Sequence, residues 1–400
     1  MRTGENREVL QLCVRRHTSW QELESLRPVW EQILRETTGL TIFSTPEWLG
    51  AWWKAFGHAK QLTALSFSNP GGEIVGLAPL YIESTKGSIL GSLKRLLMVG
   101  DGTHDSDSLD LIFRSGYEPA CSEALLMRLD SDRDWDFCEL NTLPEASPVV
   151  QALQSSLKDR KWVSIQSARP NSVVYLPDHW DNYLHHLPRK FARGIERDTQ
   201  NLARHYAARI FRCANEEELS VHLELLFGLH QERWKSKGQL GTFAGTERRL
   251  FYYEMSRAFL RRGWLEFWVL ELNGKAAAAQ FSFRYRDTVY HLQEGLDPRF
   301  LPDRVGVVLR AHILKQLINE GVRQYDFLGG IDSHKQLWRA LPGAYTDLHF
   351  AKPMTRGALH LGTKQKVENM SALLRTSVPD AVLNALRWIY RQSRGRRTQP

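Results

Sequence analysis

The sequence predicts a mixed α/β protein, of the α+β kind, in which one α/β unit is used twice. Three observations carry this. Residues 263–338 read in order as a hairpin, a third strand, a helix and a fourth strand, with the hairpin turn at Asn273-Gly274, a dipeptide that accepts the positive φ angles of a tight turn. The earlier half repeats that order and closes on Trp135-Asp136-Phe137, where the later half closes on Tyr325-Asp326-Phe327. Length agrees, because 400 residues exceed one typical hydrophobic core and divide naturally into two units.

In the first unit, residues 20–36 place Leu23, Leu26, Trp30, Ile33 and Leu34 on one helical face. Thr45-Pro46-Glu47 opens a second helix through Trp53, with a hydroxyl at the N-cap and proline at the first helical position. Strands are predicted over 62–67 and 74–82 around the Pro70-Gly71-Gly72 turn, then near 96–99 and 108–113. A helix over 118–128 leads to a strand over 135–140. Residues 155–177, broken by Arg169-Pro170-Asn171-Ser172, read as the join, with the domain boundary near residue 170.

Residues 181–212 then read as a helix carrying Arg189, Lys190, Arg193, Arg197, Arg204, Arg209 and Arg212 with few acids, either a solvated face or a phosphate-binding edge. The helix over 217–237 sets His230 and Trp234 one turn apart, which suits a buried histidine packed on an indole more than a catalytic base. Strands follow over 264–272, 276–285 and 288–294. A helix over 307–320 is marked by apolar positions 307, 311, 314 and 318 and by Gly321 at its end, before a strand over 324–328. That strand runs into Gly329-Gly330 and the polar turn Asp332-Ser333-His334-Lys335, where backbone approaches a ligand or another loop. Residues 351–400 form a C-terminal tail with one amphipathic run at 378–390 and arginines at 391, 394, 396 and 397. Such a tail docks on the body, meets a partner or an anionic membrane surface, or frays in solvent.

With 42% apolar and 24% charged residues the chain is an ordinary globular protein. It lacks the roughly 18 consecutive apolar residues of a spanning helix, and residues 1–20 carry charges where a signal peptide has an apolar core. A cytoplasmic location is expected. Cys13, Cys121, Cys138 and Cys213 are scattered without CxxC spacing, which predicts thiols and no metal site. The net charge of +8 favours acidic partners such as phosphates, nucleic acid or an anionic membrane. GxxxxGK[ST], post-strand GxGxxG, HExxH and GxSxG are all missing, so nucleotide hydrolysis, nicotinamide redox, zinc proteolysis and α/β-hydrolase chemistry lack their usual marks. The helix start at Val305-Gly306-Val307, after Pro302 and Arg304, offers N–H groups and a positive dipole end to an anion such as pyrophosphate.

Residues 281–295, then 304–309, then Tyr325-Asp326-Phe327-Leu328-Gly329-Gly330 with Lys335 and Trp338, resemble the GNAT-related acetyltransferases of the BioF2-like and cellulose-biosynthesis-associated CelD-like group, relatives of the Fem-type peptidyltransferases. Upstream, residues 43–53, Gly76-Leu77-Ala78-Pro79-Leu80, Arg193, Arg197, residues 229–234 and Gly263-Trp264 continue the likeness, which spans about residues 20–350. It implies two tandem GNAT-like domains, 1–170 and 171–350, with the helical basic tail 351–400 behind them. The acyl-transfer site is then expected near the cleft between the domains.

The resemblance implies Lys335 as electrostatic stabiliser and Arg304, Val305, Gly306, Val307 and Val308 as the donor-binding helix start. It also implies Arg193, Arg197, Trp234, Gln293, Asp326, Gly329 and His334 on the substrate side. Two departures stand out: His334 replaces the tyrosine that commonly precedes the lysine, and Glu294 replaces a small neutral residue, which makes Glu294 a candidate base. The expected donor is acetyl-CoA or another acyl-CoA, with aminoacyl-tRNA as the alternative, because only part of the R/Q-x-x-G-x-G/A signature is present. The expected acceptor is an amine or hydroxyl of a sugar-like or cell-envelope (exopolysaccharide) precursor. The rival is a non-catalytic module that holds a polyanion or glycan.

Overall fold

The computed structural model describes residues 11–85, 91–103, 105–235 and 241–377. Eleven of the described strands join into one sheet that runs through both halves of the chain. From edge to edge they are Ala208–Arg212, Leu265–Leu272, Lys275–Tyr285, Thr288–Leu296, Gln324–Gly329, Val163–Tyr175, Leu341–Ala351, Phe137–Pro144, Lys94–Met98, Leu80–Ser84 and Gln61–Leu62. A second sheet holds Cys13–His17, Ala64–Ser68, Ile74–Ala78 and Ile112–Phe113. The mixed α/β class is as expected.

Strand Leu265–Leu272 shows why its sequence is apolar at nearly every position. Phe267 and Val269 enter a core with Leu223, Phe227, Phe251 and Phe259, while Trp268, Leu270 and Leu272 enter another with Leu309, Ile313, Leu314 and Leu317. Both faces are covered by helices, so the alternation of a half-exposed strand disappears. The hairpin turn forms with Asn273 at φ 52° and Gly274 at φ 73°. Thr45 caps helix Pro46–Phe56 by accepting the Trp48 N–H. That helix belongs to the first half, yet Trp48 meets Phe251 edge-on with centroids 5.1 Å apart, so one core binds both halves.

Several elements depart from the expectations. The helix over 20–36 is two, Trp20–Glu24 and Arg27–Glu36, with Pro28 in the first turn of the second. The strands over 62–67 and 74–82 each split and change sheets, the second at Pro79, whose missing N–H cannot serve a ladder. Only Ile112–Phe113 is strand within 108–113. The basic stretch 181–212 is not one helix but Trp180–His186, Arg189–His205 and an edge strand, broken at Pro188. Among the cysteines, Cys121, Cys138 and Cys213 are buried thiols and Cys13 is exposed. His230 is buried and packs edge-on against Phe243, whereas the Trp234 side chain lies outside the described residues.

The expected join proves to be a strand inside the large sheet. Val163–Tyr175 pairs with Leu341–Ala351 all the way from Val163↔Ala351 to Val173↔Leu341. Pro170 falls at the bulged end of the ladder to Gln324–Gly329, where a missing N–H costs least. The tail also gains a place: helix Arg356–Ser377 buries Leu361 against Leu93, Phe137 and Ile165. Gly357 lies so close to the body that a Cβ there would stand 1.8 Å from the Asp136 carbonyl oxygen. The amphipathic run 378–390 and the arginines after it lie outside the described residues. No described helix is long and apolar enough to cross a membrane.

Candidate active site

Strands Thr288–Leu296 and Gln324–Gly329 run parallel, and their pairing stops at Tyr290↔Asp326 although both continue. Two local devices accompany the parting. The register of Lys275–Tyr285 against Thr288–Leu296 slips between Phe281 and Ser282, which leaves Leu292 as the extra residue of a bulge. On the other side Leu328 adopts φ 59°, its N–H held by Asp326 Oδ1 at 2.7 Å. A cavity of about 280 Å³ fills the gap, lined by His291, Leu292 and Gln293 from one strand and Phe327, Leu328 and Gly329 from the other.

The opposite wall comes from the first half of the chain. Asp101, Asp105 and Asp107 face the gap from the turn after Lys94–Met98, beside Thr142 and Arg169. Burial pushes Asp101 up to about 6, although the Asn141 amide donates to its Oδ2 at 2.7 Å and the Gly102 N–H to its Oδ1 at 2.6 Å. Burial likewise lifts Asp105 to about 6, with Arg248 Nε 3.1 Å away. Asp107 is raised by burial while its Oδ2 accepts the Gly329 N–H at 2.8 Å. Asp326 is pushed up to about 7, by burial and then by Asp107. Arg169 is matched by Asp347 at 2.5 Å, so the wall is acidic on balance.

Beneath the gap lies a buried polar cluster on helix Val305–Asn319. Arg310, 2% exposed, donates from Nη2 to Glu294 Oε1 at 2.8 Å and approaches His291 Nε2 at 3.2 Å. Burial, reinforced by the Arg310 charge, drives His291 well below its ordinary value. The neutral ring then accepts at Nε2 and turns its Nδ1 proton toward Ser282 Oγ, 3.3 Å away. Gln280 Nε2 donates to the Tyr325 hydroxyl at 2.9 Å and completes the cluster.

Of the expected site residues, Gln293 and Gly329 line the cavity and Asp326 sits at its edge. Lys335 is on short helix Ser333–Leu337, and its Nζ is held by the carbonyls of Phe327 (3.1 Å), Gly329 (2.8 Å) and Gly330 (3.0 Å). An ammonium with three donors so placed fixes the loop. Glu294 faces Arg310 and not the cavity, so it is the counter-ion of a buried cation. His334 is exposed, with Nδ1 3.5 Å from Arg310 Nη1.

At the helix start, the Arg304 carbonyl takes the N–H groups of Val307 (2.9 Å) and Val308 (3.2 Å), while Val305 itself is buried. A Cβ on Gly306 would stand 3.0 Å from Leu296 Cδ2 and 3.5 Å from Glu294 Oε1, so the glycine faces a strand. Arg304 and Arg197 both pair with Asp198, at 2.9 and 3.0 Å, and Arg193 is exposed one turn before Arg197. These arginines gather near the helix start and away from the cavity lining.

The acidic wall and Arg310 were missed by the sequence reading. Their signals were the dense Asp, Gly and Ser stretch 100–110 and a lone arginine amid the apolar run Val305–Ile318. A larger cavity, about 800 Å³, lies beside helix Pro46–Phe56. Many of its charges are paired with one another, through Arg27–Glu47, Lys54–Glu254 and Arg262–Glu47.

Residues 189–336 match the acetyltransferase (GNAT) domain model. The fold is similar to that of FemX, at 11% identity and a TM-score of 0.57, over 84% of this chain and 96% of that one. It is also similar to a conserved protein of unknown function from Bacteroides thetaiotaomicron VPI-5482, at 13% identity and a TM-score of 0.51, over 82% of this chain and 97% of that one. No curated protein matches the sequence. Over residues 189–336 the chain is thus similar to the acetyltransferase (GNAT) domain, and its fold as a whole is similar to that of FemX.

Proposed function

We propose that the protein transfers an acyl group from an acyl-CoA, acetyl-CoA first among them, to an amine held in the acidic cavity. The observation that carries this is the parting of two parallel strands directly opposite Asp101, Asp105 and Asp107. The unpaired strand edges supply backbone groups to a carbonyl that develops negative charge. The carboxylates supply a site for an ammonium and a sink for its proton.

In the proposed step the amine nitrogen attacks the thioester carbonyl carbon, a C–N bond forms, and the C–S bond breaks as the tetrahedral intermediate collapses. The departing thiolate takes one proton from the nitrogen, and the proton that the bound ammonium must lose before the attack passes to a wall carboxylate. Asp101, titrating at about 6, is ionised at neutral pH and suited to take it. Lys335 acts by holding the 327–330 carbonyls, and Glu294 by neutralising Arg310. The N–H groups of Val305 and Gly306 and the nearby Arg304 hold the donor pyrophosphate in this reading. Arg193, Arg197 and His334 remain candidates for the outer part of a bound substrate.

We further propose that the protein falls in the BioF2-like and CelD-like group, with domains 1–170 and 171–350, a cytoplasmic site of action, an acceptor on a cell-envelope or exopolysaccharide precursor, and contact of the basic tail with anionic membrane. A second donor, aminoacyl-tRNA, is favoured by the exposed Arg193 and Arg197 on helix Arg189–His205. The acidic wall weighs against a module that holds a polyanion in the cleft. Calorimetry with acetyl-CoA, followed by thiol release in the presence of simple amines, tests the proposal. Saturable acetyl-CoA binding and amine-dependent thiol release are expected, whereas steeply salt-dependent RNA binding without acetyl-CoA binding would sink it.

A further inference from the structure

The polar chain that reaches the cavity wall begins on the C-terminal helix. Lys364, from helix Arg356–Ser377, donates from Nζ to Glu139 Oε1 at 3.0 Å and approaches His349 Nδ1 at 3.3 Å. An ammonium has only protons to offer, so Nδ1 must accept and the ring proton must sit on Nε2. That nitrogen lies 2.9 Å from Asn141 Oδ1. With its oxygen so engaged, Asn141 turns its Nδ2 toward the cavity and donates to Asp101 Oδ2 at 2.7 Å. Each link dictates the polarity of the next. His349 and Asn141 are both buried.

We infer that the C-terminal helix is part of the acyl-transfer site, with Lys364, His349 and Asn141 as positioning residues that hold the Asp101 carboxylate in the cavity. The inference rests on the reading of that cavity as the acceptor site. A reversed asparagine amide would present its oxygen to Asp101, and two oxygens in contact would drive the carboxylate away or force it to stay protonated. Lys364 and His349 prevent that reversal from about three links away. The charged groups facing His349 are Glu139, Lys364, Asp347 and Arg169, and those facing Asp101 are Glu139 and Arg95.

The test is an NMR titration of the Asp101 side-chain carboxyl in the full-length chain, carried out on the wild type and on Asn141→Leu, His349→Leu, His349→Gln and Lys364→Met. Melting of each variant confirms that the titrated species is folded. Asn141→Leu and His349→Leu are expected to raise the Asp101 midpoint by about one pH unit, the effect of losing one hydrogen bond to the charged form. Lys364→Met is expected to raise it too, while His349→Gln, whose amide restores a donor toward Asn141, returns it toward the wild-type value. A midpoint that moves in Asn141→Leu but not in His349→Leu or Lys364→Met would overturn the inference, because the chain would then end at Asn141. Titrating n-propylamine into the wild type is the separate check on the acceptor reading. An Asp101 signal that ignores the amine while still following Lys364 would overturn that reading and leave the positioning chain standing.

Discussion

Arg310 Nη2 stands 2.8 Å from Glu294 Oε1 inside the protein, and the same guanidinium lies over the Phe327 ring at 5.3 Å. A buried cation of this kind needs its counter-ion. Removing one partner of a buried pair leaves an uncompensated charge and typically destabilises by about 3–5 kcal/mol. Glu294→Ala is therefore expected to lower the melting temperature sharply, and Glu294→Gln to do so less. Thermal melting of both variants, set beside their turnover, decides between the two roles. A fully stable Glu294→Gln with abolished transfer would restore Glu294 as the base.

Lys335→Met is expected to loosen the loop after Gln324–Gly329 and leave the core intact. The amides of Gly329 and Gly330, now bonded to Asp107 Oδ2 and the Pro170 carbonyl, should exchange with solvent roughly tenfold faster or more, as local opening becomes easier. Amides in helix Val305–Asn319 should be unaffected. Hydrogen exchange read residue by residue checks this, and unchanged protection at Gly329 and Gly330 would show the lysine to be dispensable for the loop.

Gly306→Val tests the helix start. A side chain there would press on Leu296 and Glu294, and overpacking of this kind costs on the order of 1–3 kcal/mol. A lower melting temperature is expected, with acetyl-CoA affinity of the folded protein nearly unchanged. A stable variant that binds acetyl-CoA much more weakly would mean that the backbone must lie closer to the donor than Leu296 allows.

Asp110 gives a pH-dependent prediction. Burial pushes its carboxyl up to about 7, with Glu118 adding to the shift. The folded protein therefore holds this proton more tightly than the unfolded chain, so stability from this group is full at low pH and falls as pH rises from about 4 to about 7. Asp110→Asn keeps the size and removes the ionisation. Its melting temperature relative to the wild type should increase between about pH 5 and about pH 8, and a difference independent of pH would refute the shift.

Local chemistry was the legible part of the sequence. Asn273-Gly274, the Thr45-Pro46 start and Gly321 each act through the backbone of a few neighbouring residues, and each forms as expected. Val163–Tyr175 was hidden because half its side chains are exposed and Pro170 interrupts it; what makes it a strand is its partners, Gln324–Gly329 and Leu341–Ala351, far along the chain. The site divides in the same way. Gln293 and Gly329 sit on strands whose ends were recognisable, and they line the cavity. Asp101 and Asp107 acquire meaning only when the first half closes over the second. Lys335 was found by position, but its role depends on carbonyls that only the folded loop turns inward.

The strand Leu341–Ala351 lies between Val163–Tyr175 and Phe137–Pro144, so a segment late in the chain stitches the earlier half to itself. During synthesis the ribosome must release some 350 residues before that slot can be filled. Until then Phe137–Pro144 and Val163–Tyr175 expose open edges to any passing strand. The nascent protein is thus vulnerable to aggregation until Leu341–Ala351 has emerged, and a premature stop upstream of Leu341 yields a chain with an unhealed seam.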